Sequence, residues 1–152
     1  MNQQHAPRFL VEQLFVPAPG EEFDFVAEDH RGALGIFSTA GSGKLPVQPD
    51  GWTKATRELI EYIHSMPSSG RAIGRSPRTT TGNYADFYRY SERGFYAFDW
   101  RLNNGPYERL SMPEVEAPIS GLPSELRWVV VSLNWIEFNA MPNFSFDEVE
   151  AL

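Results

Sequence analysis

Residues 23–46, FDFVAEDHRGALGIFSTAGSGKLP, contain the clearest hairpin signal in the chain. From Phe23 to Glu28 the set Phe23, Phe25 and Ala27 alternates with Asp24, Val26 and Glu28, a period of two that is typical of a strand with one buried face. The next four residues, Asp29 to Gly32, form a turn, because aspartate caps turns with its side chain and glycine permits a positive φ. The apolar run Ala33 to Phe37 then returns as an antiparallel partner. The stretch therefore predicts two paired strands.

The Gly-Ser-Gly segment that follows the hairpin, ahead of Lys44, resembles part of a phosphate-binding loop. That motif requires glycine at position 38 and serine or threonine at position 45. This chain has Ser38 and Leu45 instead. The segment is therefore interpreted as a loop that leaves the strand, and no cofactor is predicted to bind there.

The residues around the hairpin predict one more strand and one helix. After a frayed leader, residues 1–7, the apolar residues from Phe9 to Val16 favour a strand that ends at Pro17. From Trp52 to His64 apolar side chains recur every three or four residues, which predicts a helix with Asp50 as its cap. Its exposed side carries Lys54, Arg57, Glu58 and Glu61, which form two i,i+4 pairs of opposite charge, and is interpreted as a solvated face.

Residues 65–83, SMPSSGRAIGRSPRTTTGN, have no apolar period. Such a long segment inside a small domain is usually functional or disordered, so a mobile loop that orders on binding is predicted. Its three arginines leave open a phosphate-binding role or contacts with the protein's own carboxylates.

The second half of the chain favours a sheet. Strands are predicted from Tyr84 to Tyr90, Phe95 to Trp100, Tyr107 to Met112 and Trp128 to Phe138, with one helical turn between Gly121 and Leu126. Ser145 to Glu148 fits a capping box, which predicts a short C-terminal helical turn. The expected fold is α+β, a largely antiparallel sheet of six or seven strands with the main helix packed on one face. A single domain over residues 1–152 is expected.

Composition narrows the functional classes. The 152 residues include no cysteine, which excludes disulfides and thiolate chemistry and suits a reducing, cytoplasmic setting. The formal charge of −7 repels nucleic acid and anionic membranes and attracts a basic partner, although such a charge also serves solubility. No apolar stretch approaches the ~18 residues of a membrane span.

Catalytic candidates are few, because the chain contains only three histidines. Asp29 and His30 are adjacent at the predicted turn, where neighbouring side chains point apart, so a role in the turn is favoured over a catalytic one. Neither a metal triad nor a nucleophile with its base emerges from the spacing. No catalytic residue, metal or cofactor is therefore predicted, and a non-enzyme is favoured.

Three segments carry a resemblance to a known class of proteins. These are VAEDHRGALGIFSTAGSGKLP at 26–46, GFYAFDWRLNNGPYERLSMP at 94–113 and LPSELRW at 122–128. Together they resemble small immunity proteins of bacterial polymorphic toxin systems, which protect a cell from delivered toxins. The resemblance implies a protein that binds a cognate toxin domain and occludes its active site.

An acidic surface with aromatic residues would suit a toxin with a basic cleft. The candidate contacts cluster around the two predicted hairpins: Asp24, Glu28, Asp29, Asp86, Tyr88, Tyr90, Glu92, Asp99 and Trp100. Two alternatives stay open, a small hydrolase that uses Asp29 and His30 and an unrelated non-catalytic inhibitor or interaction module.

Overall fold

A computed structural model describes residues 8–11, 13–73, 85–101 and 104–148. Two α-helices, α1 (Trp52–Ser65) and α2 (Ala85–Glu92), accompany ten strands and two short 3₁₀ segments, Ile119–Gly121 and Ser124–Val129. The strands are β1 (Arg8–Val11), β2 (Leu14–Phe15), β3 (Asp24–Asp29), β4 (Leu34–Ser38), β5 (Leu45–Pro46), β6 (Ala72–Ile73), β7 (Tyr96–Trp100), β8 (Tyr107–Pro113), β9 (Val131–Leu133) and β10 (Asn143–Glu148).

A mixed sheet of six strands, in the order β10-β8-β7-β4-β3-β9, forms the centre of the fold. Three of its neighbour pairs are antiparallel, and two, β4 with β7 and β3 with β9, are parallel. Beyond β10 the sheet continues with β1, and β6 pairs with one end of β8, while β2 and β5 form a separate pair. The α+β prediction is confirmed, with a mixed sheet in which antiparallel pairs predominate.

The hairpin from β3 to β4 forms where the sequence predicts it, with Phe25 opposite Phe37. Gly32 has a φ of 87° at the turn, as the sequence suggested. The expectation of one buried face is wrong, because nearly every residue of both strands is buried. The hairpin lies inside the sheet, where β7 and β9 pair with its two edges, and α1 packs on β3.

Aromatic rings fill the core around this hairpin. Phe37 stacks on Phe98 with ring centroids 4.5 Å apart and on Phe25 at 5.3 Å. Tyr107 and Phe138 meet the edge of the Phe37 ring at 5.3 and 5.6 Å. Offset and edge-to-face rings add specific geometry to the apolar burial, so this cluster fixes how the central strands pack.

Helix α1 matches the predicted range almost to the residue. Its buried side chains, Trp52, Thr56, Leu59 and Ile63, follow the expected spacing of three and four. The indole nitrogen of Trp52 donates to the carbonyl of Val129 at 2.8 Å, which ties the helix to the second 3₁₀ segment. The predicted cap is wrong: Gly51 holds the N-cap position at φ 85°, and no side chain caps the helix.

Helix α2 replaces a predicted strand. Asp86 in its first turn and Arg89 in its last suit the helix dipole, and the two form an ion pair at 3.2 Å. Ser91 donates to the Phe95 carbonyl at 2.8 Å and lies 2.6 Å from the Ser111 hydroxyl, which fixes the helix end against β8. The alternating aromatic residues had suggested a strand, but packing against β7 and β8 decides the conformation.

Three other sequence predictions need correction. The C-terminal stretch is strand β10 rather than a helical turn, because it pairs with β1 and β8. The strand predicted from Trp128 to Phe138 shortens to β9, and the residues before it form the 3₁₀ segment Ser124–Val129. The strand predicted from Phe9 to Val16 divides into β1 and β2.

Part of the predicted loop over residues 65–83 is regular structure. Ser65 ends α1, and Ala72 and Ile73 form β6 against β8. Residues 74–83 of that loop lie outside the described residues, as does the predicted leader, residues 1–7.

Candidate functional site

A cleft of about 490 Å³ opens between α1, α2 and the neighbouring ends of β3 and β4. The lining residues are Glu22, Phe23, Asp24, Ser38, Arg57, Ile60, Glu61, Asp86, Phe87 and Tyr90. Both helices and the central hairpin contribute, so the cleft forms only in the folded chain.

Strand register and helical spacing bring the polar groups together. Asp24 pairs with Ser38, and Ser38 pairs with Asp99 on the next strand, so the three share one face of the sheet. Asp86 and Tyr90 are four residues apart on α2 and therefore lie on the same side of the helix. The helix thus directs both of them into the cleft.

Asp24 is the centre of the polar network. Its Oδ2 accepts a hydrogen bond of 2.5 Å from the Tyr90 hydroxyl, which also lies 3.1 Å from Nε2 of His64. Loss of solvation raises the pKa of Asp24, and the charge of Glu22 adds to this shift. Hydrogen bonds from Tyr90 and Ser38 oppose it without cancelling it. The structure therefore holds this carboxyl group where ionisation is disfavoured.

Tyr90 remains a hydrogen-bond donor at any physiological pH. Burial raises the pKa of its hydroxyl, and the charge and hydrogen bond of Asp24 raise it further. Only 1% of the residue is exposed, so its hydroxyl lies in the wall of the cleft rather than on the outer surface. Tyr90 accordingly works as a fixed link between Asp24 and His64.

Negative charge dominates the lining. Four carboxylates, those of Glu22, Asp24, Glu61 and Asp86, face one guanidinium, that of Arg57. Arg57 lies over the ring of Phe23 at 5.4 Å, a cation–π contact that holds it against the wall. A concave, partly desolvated surface concentrates such a field and attracts cationic groups.

The contacts predicted from sequence divide into two groups. Asp24, Asp86 and Tyr90 meet in the cleft, and Asp99 lies one strand away through Ser38. The remaining residues lie elsewhere: Glu28 and Asp29 at the far end of β3, Tyr88 and Glu92 on α2 outside the lining, and Trp100 at the end of β7. Trp100 is 4% exposed and packs against Tyr107, so its ring belongs to the core.

The Asp29–His30 pair serves the turn. Asp29 Oδ1 accepts the backbone N–H groups of Arg31 and Ala33, and Oδ2 accepts that of Phe138, each at 2.9 Å. The Asp29 side chain is fully buried, whereas Nε2 of His30 pairs with Glu137 at 2.7 Å on the surface. The two side chains have separate partners, so the structure does not bring them together as a catalytic dyad.

Sequence reasoning missed several residues of the site. Arg57 and Glu61 were interpreted as part of a solvated helix face, and His64 was not among the predicted contacts. Their spacing along α1, with Ile60 between them, places them on one stripe that borders the cleft. The sequence therefore contained the spacing that places these residues on one side of α1. It did not show that α2 lies opposite them and closes the cleft.

Comparison of the chain with family models, curated proteins and solved structures finds no match to any of them. Among the described residues, no group of three or more histidine or acidic side chains is placed to hold a metal ion. Neither helix in this part of the chain has the length and hydrophobicity that crossing a bilayer requires.

Proposed function

We propose that this chain is a cytoplasmic immunity protein that binds a cognate bacterial toxin and occludes its active site. The cleft between α1 and α2 provides the main docking surface. The observation that carries this proposal is the lining of that cleft, where four carboxylates outnumber one guanidinium. The partner is a toxin domain with a basic active-site cleft rather than a nucleic acid or a membrane.

Charge complementarity explains how the two proteins would meet. Toxins that act on nucleic acids or nucleotides need cationic clefts, and a protein with a formal charge of −7 is steered toward them. Arginine and lysine side chains of the toxin would enter the cleft and pair with Glu61, Asp86 and Asp24. The same side chains would then be unavailable to the toxin's substrate.

The position of Asp24 supports a binding role. Burial and Glu22 disfavour its ionised form, so a cationic group from a partner would relieve a penalty that the free protein carries. Perturbed ionisable groups in clefts are typical of functional sites, although structural networks also produce them. A carboxylate that served only the fold would have been expected to gain from its surroundings.

Two matched substitutions on α1 test the proposal. Glu61 lines the cleft, whereas Glu58 is equally charged and exposed but does not. The partner to use is the product of the gene beside the one that encodes this chain, since immunity genes lie next to their toxin genes. Stopped-flow association is measured over a salt series for wild type, Glu61→Lys and Glu58→Lys.

The expected result is an association rate that falls steeply with salt and falls further for Glu61→Lys than for Glu58→Lys. The dissociation rate should depend on salt much less. Equal effects of the two variants would show that net charge, rather than the cleft, attracts the partner. An absence of binding by the neighbouring gene product, together with a lack of protection in cells, would refute the immunity function itself.

A further inference from the structure

A chain of two hydrogen bonds links three elements beside the cleft. The Tyr90 hydroxyl lies 2.5 Å from Oδ2 of Asp24 and 3.1 Å from Nε2 of His64. Asp24 begins β3, Tyr90 belongs to α2, and His64 lies in the last turn of α1. Because the His64 residue is exposed, the chain of bonds runs from the surface to a desolvated carboxyl group.

While Asp24 is ionised, counting protons fixes the direction of both bonds. The Tyr90 hydroxyl carries one proton, and an ionised Asp24 carries none, so the hydroxyl must donate to Asp24. Nε2 of His64 must then donate to the Tyr90 oxygen, since two lone pairs would otherwise face each other. Neutral His64 is therefore held as the Nε2–H tautomer, and its Nδ1 is an unprotonated acceptor.

We propose that Asp24, Tyr90 and His64 form a proton relay through which solution pH sets the charge on the floor of the cleft. A proton that binds Nδ1 of His64 allows the Nε2 proton to pass to Tyr90 and the Tyr90 proton to pass to Asp24. One proton enters at Nδ1 and one arrives at Asp24, while Tyr90 gives one and takes one. The trio becomes one unit less negative, and both hydrogen bonds reverse.

Several charged groups surround the relay. Glu22 precedes β3, Arg57 and Glu61 face it from α1, Asp86 faces it from α2, and Arg93 acts on Tyr90 from the end of α2. Loss of solvation raises the pKa of Asp24 and the charge of Glu22 adds to the shift, while hydrogen bonds from Tyr90 and Ser38 and the charge of His64 lower it without cancelling it. The net shift favours the protonated form of Asp24, which is the direction that the relay needs.

The relay goes beyond the proposed function, because it needs no partner to operate. It implies that acidification neutralises Asp24 and so weakens the binding of any cationic group in the cleft. Two groups that exchange one proton titrate as a pair, and their midpoints belong to the pair rather than to either residue.

Nuclear magnetic resonance of the intact protein tests the relay. Ring-nitrogen shifts of His64 near neutral pH should show the Nε2–H tautomer, and the Asp24 carboxyl carbon should share a titration step with the His64 ring. Tyr90→Phe keeps the ring and removes the hydroxyl, so His64 should become a mixture of tautomers and the shared step should disappear. His30 is the internal control, because its hydrogen bond to Glu137 is remote from Tyr90 and should be unchanged.

Two outcomes would overturn the proposal. One is an Nδ1–H tautomer of His64 in the wild-type protein near neutral pH, a measurement that needs no variant and so does not depend on whether Tyr90→Phe folds. The other is a shared titration step of His64 and Asp24 that persists in Tyr90→Phe, since the connection would then be electrostatic rather than a relay.

Discussion

Replacement of Asp29 should destabilise the fold more than replacement of any acidic residue in the cleft. The Asp29 carboxylate accepts the backbone N–H groups of Arg31, Ala33 and Phe138, each at 2.9 Å. In Asp29→Ala all three donors lose their acceptor, and the bonds of Ala33 and Phe138 are buried. A buried donor without a partner costs about 1–3 kcal/mol, so the two buried donors predict a loss of about 2–6 kcal/mol.

Asp29→Asn provides a second comparison. The asparagine oxygen can replace Oδ1 and keep the bonds from Arg31 and Ala33, while its amide group then faces the N–H of Phe138. Phe138 loses its acceptor, and the amide brings two N–H donors of its own into a position where the side chain is fully buried. The unpaired Phe138 donor alone predicts a loss of about 1–3 kcal/mol. Both variants should therefore have a lower free energy of unfolding than wild type.

Urea denaturation measures this series, with the midpoint as the readout and a constant m-value as the condition for comparing variants. His30→Ala is the matched control at the next position, since its side chain pairs with Glu137 at the surface, where such contacts contribute little. An Asp29→Ala protein within about 0.5 kcal/mol of wild type would contradict the argument, because that is the range of neutral surface changes. Loss of protection in a His30→Ala protein with unchanged folding and unchanged partner affinity would instead favour the hydrolase alternative.

Three further substitutions test other parts of the structure by the same unfolding measurement. Asp24→Asn should raise the free energy of unfolding at neutral pH and leave it unchanged below the ordinary Asp pKa of 3.8, because folding raises the pKa of Asp24 and the ionised form therefore destabilises the folded state only above that value. A lower free energy of unfolding at neutral pH would contradict this. Thr56→Val should stabilise the fold by about 1 kcal/mol, because the fully buried Thr56 hydroxyl has no hydrogen-bond partner among the described residues. Destabilisation would indicate that a bound water or another group pairs with this hydroxyl. Gly94→Ala should destabilise the fold by about 2 kcal/mol or more, because Gly94 has a φ of 105° and an added Cβ would lie 2.5 Å from the backbone nitrogen of Ala117. An unchanged denaturation midpoint would show that this backbone adjusts freely.

Local signals predicted the elements that depend on neighbouring residues. The turn from Asp29 to Gly32 and the apolar spacing of α1 each depend on residues that are close together in the sequence. The hairpin and the helix therefore appear in the structure close to their predicted bounds. The cap of α1 failed because Gly51 at φ 85° occupies the N-cap position beside Asp50. A capping residue is a weaker signal than the periodicity of a helix, since several residue types fit that position.

Distant contacts explain where the sequence predictions failed. Residues 85–92 carry aromatic side chains that satisfy both a strand and a helix period, and packing on β7 and β8 selects the helix. The capping box at Ser145 is a valid local signal, but pairing with β1, more than 130 residues earlier, converts it to a strand. In both cases tertiary packing overrides local propensity.

The candidate site is even less accessible from sequence. Asp24 and Tyr90 are separated by 66 residues, and Tyr90 and His64 by 26 residues. Only the position of α2, packed on β7 and β8 with Tyr90 within hydrogen-bond distance of Asp24 and His64, brings the three side chains together. A strand over the same residues would have placed Asp86, Tyr88 and Tyr90 on one face, whereas the helix turns Tyr88 out of the cleft lining.

Two aspartates at opposite ends of β3 differ in how their surroundings affect the stability of the fold. The Asp29 carboxylate accepts three backbone N–H groups, and its removal is expected to destabilise the fold. Desolvation and the charge of Glu22 disfavour the ionised form of Asp24, so its neutralisation is expected to stabilise the fold. Mutation and selection retain a destabilising group where activity requires it, so a variant that gains stability and loses partner binding would identify Asp24 as a residue kept for function.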